Sequence, residues 1–399
     1  MKIEDLLIEI VKERPVGTEN NEKIIALLKE EFLALGCSVT ALPFKCLVWK
    51  KGSSTFKIGD IELKIEASPY SAAFDGTGEG IVIDELAALQ TTPLRDKIII
   101  LRGEATQKAM QPKDYPFYYP DEDRNVILRL ENERPKAILA LTGQSQLSGM
   151  NPFPMFTDGN FSIPSGYMSE SKWEQIRQLW PADNKLSIRI VSENIQVQSS
   201  QLIAHKEGVN SKETIVVCAH MDTQYETMGA LDNATGIAIL IALMQKLKRI
   251  ECAFDIEFVP FNTEEYFGAN GEVSYLKYLD NEQKRISLVI NIDSPCHIGS
   301  NSAISYYNIH ENQKYIIDQT ITLHECIEKG ESWYAGDHCA FAFRGISCLA
   351  VSSSDLFEGA LAHIHTPKDT IKDVDRELIG GTVDFLVELV KNWSKILDK

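Results

Sequence analysis

Seven side chains that could bind a divalent cation or move a proton stand at or beside the places where apolar runs stop: His220, Asp222, Asp232, Glu264, Glu265, Asp293 and His365. The apolar run 215–219 ends on His220-Met221-Asp222, the mostly apolar run 254–261 is followed closely by Glu264-Glu265, and the run 288–292 stops on Asp293. Asp232 lies in a loop just ahead of a helical repeat, and His365 in a loop over residues 362–370. This is an imidazole and carboxylate set without thiolates. It suits zinc, or cobalt or manganese, at an open catalytic site, whereas a structural zinc more often takes several cysteines. Two ions about 3.5–4 Å apart that share one carboxylate are a common hydrolase arrangement, and Asp232 is well placed to be that bridge. Neighbours in an extended segment point opposite ways, so one of Glu264 and Glu265 can bind metal while the other takes a proton from water. Asp222, two residues after His220, can orient that imidazole by accepting its second N–H.

Each of these residue types also has a commoner use. A single acid after a strand usually serves a turn or a helix cap, and a lone histidine is usually exposed or hydrogen-bonded. His205, His297, His310, His324 and His363 are read that way. His324-Glu325-Cys326-Ile327-Glu328 holds half of a zincin motif, but its second histidine is absent. Joint placement at successive strand ends is what favours a metal site for the other set, because open parallel sheets build their sites at the carboxyl ends of strands.

The elements that must position these residues follow from periodicity. Ile237, Leu240, Ile241, Met244 and Leu247 repeat at helical spacing, so strand, helix and strand alternate through residues 214–265. Upstream, residues 3–12 carry one apolar stripe. Thr18 can cap a helix lined by Ile24, Leu27, Leu28, Phe32 and Leu35 and stopped by Gly36, and residues 37–48 read as a strand. Downstream come a helix through Val273, Leu276 and Leu279, a buried strand at 346–351 and a closing helix with Val383, Leu386, Val387, Val390 and Trp393 inward. Residues 51–186 differ: short apolar runs alternate with Gly, Pro and Asp-rich turns, 169–179 is the one helix expected there, and Gly76-Thr77-Gly78-Glu79-Gly80 reads as a turn rather than a phosphate loop. The fold class expected is α/β, a mixed, mostly parallel sheet flanked by helices, with an inserted β-rich domain. The boundaries are a discontinuous catalytic domain at 1–50 plus 195–399 and an insert at 51–194.

Length allows two domains with sizeable cores. A net charge of −17 argues against nucleic acid and anionic membrane partners. The eight scattered cysteines form no C-x-x-C pair, and acids interrupt the amino-terminal apolar stretch, so reduced thiols in a cytoplasmic protein are expected.

The segments His220-Met221-Asp222, Asp232-Asn233-Ala234-Thr235-Gly236, Glu264-Glu265-Tyr266-Phe267-Gly268, Asp293 and His365-Thr366-Pro367-Lys368-Asp369-Thr370 together resemble the signature of the M28, or aminopeptidase Y-like, zinc metallopeptidases. Arg14-Pro15-Val16-Gly17-Thr18 resembles that family's opening segment, and the middle region resembles the protease-associated (PA) domain often inserted there. The resemblance implies a zinc-peptidase fold of the phosphorylase/hydrolase type and two zinc ions. The first would take His220 and Asp293, the second Glu265 and His365. Asp232 would bridge both, through an Asp232-Asn233 peptide usually cis in the family. It further implies Glu264 as general base, Asp222 as the residue steadying His220, and amino-terminal residues of a peptide as substrate. Gly336-Asp337-His338 is similar to a Ser-Asp-His segment of the aminopeptidase members, with Gly336 in place of Ser. Asp337 and His338 are carried over as substrate-side candidates. Rival readings are a non-catalytic binding protein on this scaffold and a related amide hydrolase or glutaminyl cyclase. Oligomeric state is left open.

Overall fold

A computed structural model describes residues 2–209 and 213–397. The chain divides into two compact units. The larger comprises the residues up to Cys46 and those from Gln198 onward, and the smaller is Leu47–Val197.

The larger unit is built on an eight-stranded sheet in the order Ser38–Lys51, Ser192–Lys206, Asp255–Phe261, Thr214–His220, Ile286–Ile292, Cys348–Ser353, Ser302–Tyr307, Ile327–Lys329. Its four central strands are mutually parallel, while Ser192–Lys206 and Ser302–Tyr307 pair with them antiparallel. Every residue of Thr214–His220 and Asp255–Phe261 is buried, which is why these strands read as largely apolar runs: a parallel sheet is covered on both faces. Thr235–Leu247 is buried over nearly its whole circumference and packs against the closing helix Arg376–Leu397. Its extension, Ala230–Leu247, would pass for a membrane span by length and composition but lies in the core. Helix Glu19–Ala34 is capped by Thr18, whose hydroxyl accepts from Asn21 N at 3.4 Å.

The smaller unit closes seven strands into a barrel ordered Ser54–Ile58, Ile61–Ala67, Ser165–Ser169, Ala137–Thr142, Lys97–Leu101, Phe74–Ile83, Lys185–Ile190. Two expectations change here. Gly76 to Gly80 is not a turn but part of strand Phe74–Ile83. A Cβ at Gly80 would come within 2.3 Å of Leu186 Cδ1, so glycine lets the neighbouring strand close in. Helices Leu86–Thr91 and Asp121–Glu133 join the expected Glu170–Ile176. The helix at 121–133 buries Val126, Ile127 and Leu130 on one face, but seven of its thirteen residues are acidic or basic, which thins the apolar stripe in the sequence.

Candidate metal centre

Three adjacent parallel strands bring acids and an imidazole to one edge of the sheet. His220 ends the central strand opposite Phe261, shortly before Glu264-Glu265, and Asp293 directly follows the neighbour on the other side. Asp232 stands in a tight turn before Thr235–Leu247, and its peptide bond to Asn233 is cis. The turn is held by the buried Asn233 side chain, which donates to Ile292 O (2.8 Å) and accepts from Gly236 N (3.0 Å) and Ser294 N (3.3 Å). A Cβ on Gly236 would meet Asn233 Oδ1 at 2.3 Å and Ile292 O at 2.6 Å, so only glycine lets the helix start this close to the strand end.

His365 reaches the same point from a loop of its own. Its Nε2 lies 3.0 Å from Asp232 Oδ2 and 2.8 Å from Glu265 Oε1. His220 Nε2 lies 2.9 Å from the other oxygen, Asp232 Oδ1, and 3.6 Å from Asp293 Oδ1. Two ligand sets result, His220 with Asp232 and Asp293, and Asp232 with Glu265 and His365. Each has its donor atoms within 4.8 Å of one another, and Glu264 joins His220 and Glu265 in a third such set.

The electrostatics fit cations. Burial by itself would lower the pKa of both imidazoles. The facing carboxylates reverse this, Asp232 and Asp293 at His220, Glu265 and Asp232 at His365, and hold both well above the usual histidine range. Burial would likewise raise Asp232, yet its two histidine partners keep it well below the ordinary carboxylate range. The pocket therefore demands positive charge on either side of Asp232, and its oxygen and nitrogen donors suit divalent ions.

The supports differ in part from those expected. His220 Nδ1 lies 3.3 Å from the main-chain oxygen of Asp222 and 3.8 Å from its carboxylate. That carboxylate accepts instead from Glu265 N at 3.2 Å, and burial pushes it up to about 8. Asp369, in the loop of His365, accepts from Leu231 N (2.7 Å) and Asp232 N (3.1 Å) and so holds the peptide that presents Asp232. Gln224 donates to Glu265 Oε2 at 3.0 Å. Neither was singled out from sequence. Asp369 was visible only as part of the His365 motif, and Gln224 carries no local signal.

Asp337 is buried, its carboxylate has no hydrogen-bond partner among the described residues, and burial drives its pKa well up. His338 has a pKa lowered by burial, consistent with a neutral ring. Its Nε2 lies 3.0 Å from Trp333 O and its Nδ1 3.4 Å from Asn291 Nδ2, so it donates to the carbonyl and accepts from the amide. The other histidines are engaged elsewhere: His297 with Asp355, His324 with Glu388, His363 with Asp373, His205 beside Asp255 and Glu257, and His310 as the N-cap of Glu311–Ile321.

Residues 201–390 match peptidase family M28. Aminopeptidase YwaD of Bacillus subtilis (strain 168) is 25% identical over 269 residues, covering 64% of this chain and 56% of that protein. The alkaline phosphatase isozyme conversion protein of Escherichia coli (strain K12) is 31% identical over 145 residues, covering 32% and 40%. The chain thus spans about half the length of the curated relatives it matches. Among solved structures, an aminopeptidase from Aneurinibacillus sp. strain AM-1 shares the fold with a TM-score of 0.75 at 19% identity, over 98% of this chain and 93% of that one. BSAP, a zinc aminopeptidase from Bacillus subtilis, does so with 0.72 at 18%, over 98% and 94%. The stretch that matches peptidase family M28 carries every strand-end ligand described above, within a fold shared along almost all of the chain's length.

Proposed function

We propose that this protein is a two-metal aminopeptidase that removes amino-terminal residues from peptides. One observation carries the reading: the two oxygens of Asp232 face two different imidazoles, at 2.9 and 3.0 Å, as a bridging carboxylate must. His220, Asp293 and Asp232 would hold one ion, and Glu265, His365 and Asp232 the other. The zinc named for BSAP supports zinc here. Bound there, such ions acidify a water molecule and stabilise negative charge on a carbonyl oxygen.

The protein's own part is proton transfer and orientation. Glu264 is pushed well above the ordinary carboxylate range by burial, opposed by His220 and reinforced by Glu265, Asp293 and Asp232. A carboxyl so placed can take a proton from the attacking water and return it to the departing amine. Asp222 steadies the site through Glu265 N and, by its main chain, His220. The acids around Glu264 favour a substrate with a free α-amino group. Asp337 lies within electrostatic reach of Glu264, and His338 donates to Trp333 O, which leaves both as substrate-side candidates. We read the inserted unit as PA-like, a reading its closed barrel supports.

Glu264→Gln decides the assignment of the base. Turnover of an aminoacyl anilide should fall by a factor on the order of 10²–10⁴, with two metal ions per chain retained by elemental analysis. Wild-type turnover in that variant would remove Glu264 from the mechanism. One ion per chain with cyclisation of amino-terminal glutamine would favour the cyclase reading, and cleavage of N-acyl but not free-amine substrates would refute the aminopeptidase.

A further inference from the structure

Arg14 is fully buried, 0% exposed, yet among the described residues every hydrogen bond its guanidinium makes goes to a main-chain carbonyl and none to a carboxylate. Nε donates to Met221 O at 2.6 Å, and Nη2 donates to Gly229 O at 3.0 Å. Nη1 is shared among Met228 O, Lys12 O and Ile10 O at 3.0 to 3.2 Å. The main-chain N–H of Arg14 donates to Thr223 Oγ1 at 3.0 Å. One planar fork therefore grips both ends of residues 221–229, the loop that separates His220 from Asp232.

The same segment reaches the second ligand loop. Arg14 O accepts from Asn21 Nδ2 (3.2 Å), which also donates to Asn262 Oδ1 (2.6 Å), just ahead of Glu264. The fit leaves no slack. Gly229 has φ +58°, and a Cβ there would lie 2.6 Å from Asp232 O and 3.0 Å from Arg14 Nη1.

Burying a guanidinium is costly, and apolar side chains often stabilise as well. Burial lowers the pKa of Arg14 to about 10, against the pull of Asp369, Asp222, Asp232 and Glu265. What an apolar residue could not do is hold several carbonyls at fixed angles, which the five donors of a rigid fork can. We propose that Arg14 is a positioning residue of the metal centre: it ties the two ends of the 221–229 loop so that His220 and Asp232 meet in the geometry that binds metal. The proposal rests on the metal-binding reading of that centre.

The test uses the full chain with Arg14→Lys, which keeps the charge and loses the fork, and Arg14→Ala. Three readouts are taken: zinc affinity at buffered free zinc, hydrogen exchange of the metal-free protein, and rescue by methylguanidine at millimolar concentration against potassium chloride. Zinc binding should weaken roughly 10–100-fold in both variants, the usual effect of removing a support of metal ligands. Exchange should quicken over 221–229 but not in Arg376–Leu397, and methylguanidine should restore affinity to Arg14→Ala alone. Wild-type affinity and exchange in both variants would overturn the proposal. So would weakened binding with exchange raised throughout the larger unit and no rescue, since that marks a merely structural role. If Arg14→Ala does not fold, Arg14→Lys decides by affinity and exchange. If the wild type itself binds no divalent ion, the functional reading fails, and unchanged exchange over 221–229 in the variants would still refute the hold on the loop.

Discussion

An aspartate that shows one oxygen to each of two imidazoles creates a demand for positive charge on both its sides. Without bound ions, protons meet that demand, because the carboxylates raise His220 and His365 above the usual histidine range. The linkage sign follows. A histidine whose folded pKa exceeds its unfolded value stabilises the fold fully below about 6.5, and that contribution is lost as pH rises through the folded value. Entering ions must displace the same protons, so metal affinity runs the other way and rises with pH. Zinc titrated into metal-free protein near neutral pH should release about two protons, one per imidazole, measured by calorimetry in buffers of different ionisation enthalpy. The melting-temperature gap between loaded and metal-free protein should widen as pH rises above neutrality. Binding without proton release would show that these histidines are not ligands.

Elements decide which residues meet. Parallel pairing sends the ends of Thr214–His220, Asp255–Phe261 and Ile286–Ile292 to one edge, so three ligand-bearing segments converge without any contact between neighbours in sequence. This much was readable, because doubly covered strands leave continuous apolar runs and their abrupt ends can be seen. Irregular segments were not readable in the same way. Gly336 has φ +110°, and a Cβ there would lie 2.9 Å from Asp293 Oδ2 and 3.0 Å from the Trp333 ring. Placing a side chain at this position should therefore harm this chain. We expect Gly336→Ser to cost about 1–3 kcal/mol in backbone strain and to lower turnover by displacing Asp293 or Trp333. Thermal unfolding and steady-state kinetics would check this, and a variant as stable and active as wild type would show that the segment has room to adjust.

At the scale of the molecule, all the ligands and the supports described for them lie in the larger unit, and none in Leu47–Val197. Gly52 N donates to Val191 O at 2.9 Å, so the chain leaves and re-enters through adjacent points. A chain in which Lys51 is joined to Ser192 by a short Asn-Gly turn should fold and bind two metal ions, judged by a single cooperative melt and elemental analysis. Loss of metal from a folded variant would show that the inserted unit helps to build the centre.

Patterns carried by local periodicity were settled by the sequence alone: the alternation of strands and helices through 214–265, the capped helix after Thr18 and the acids and histidine waiting at strand ends. These depend on burial of one face or both, and burial is written residue by residue. The tertiary structure alone decided that Asp232 shares its two oxygens between His220 and His365, that Asp369 and Arg14 hold the main chain leading into it, and that the Asp222 carboxylate turns to Glu265 N instead of to the imidazole. Those are contacts across scores of residues made largely through main-chain atoms, which every residue possesses, so no pattern of side-chain types announces them.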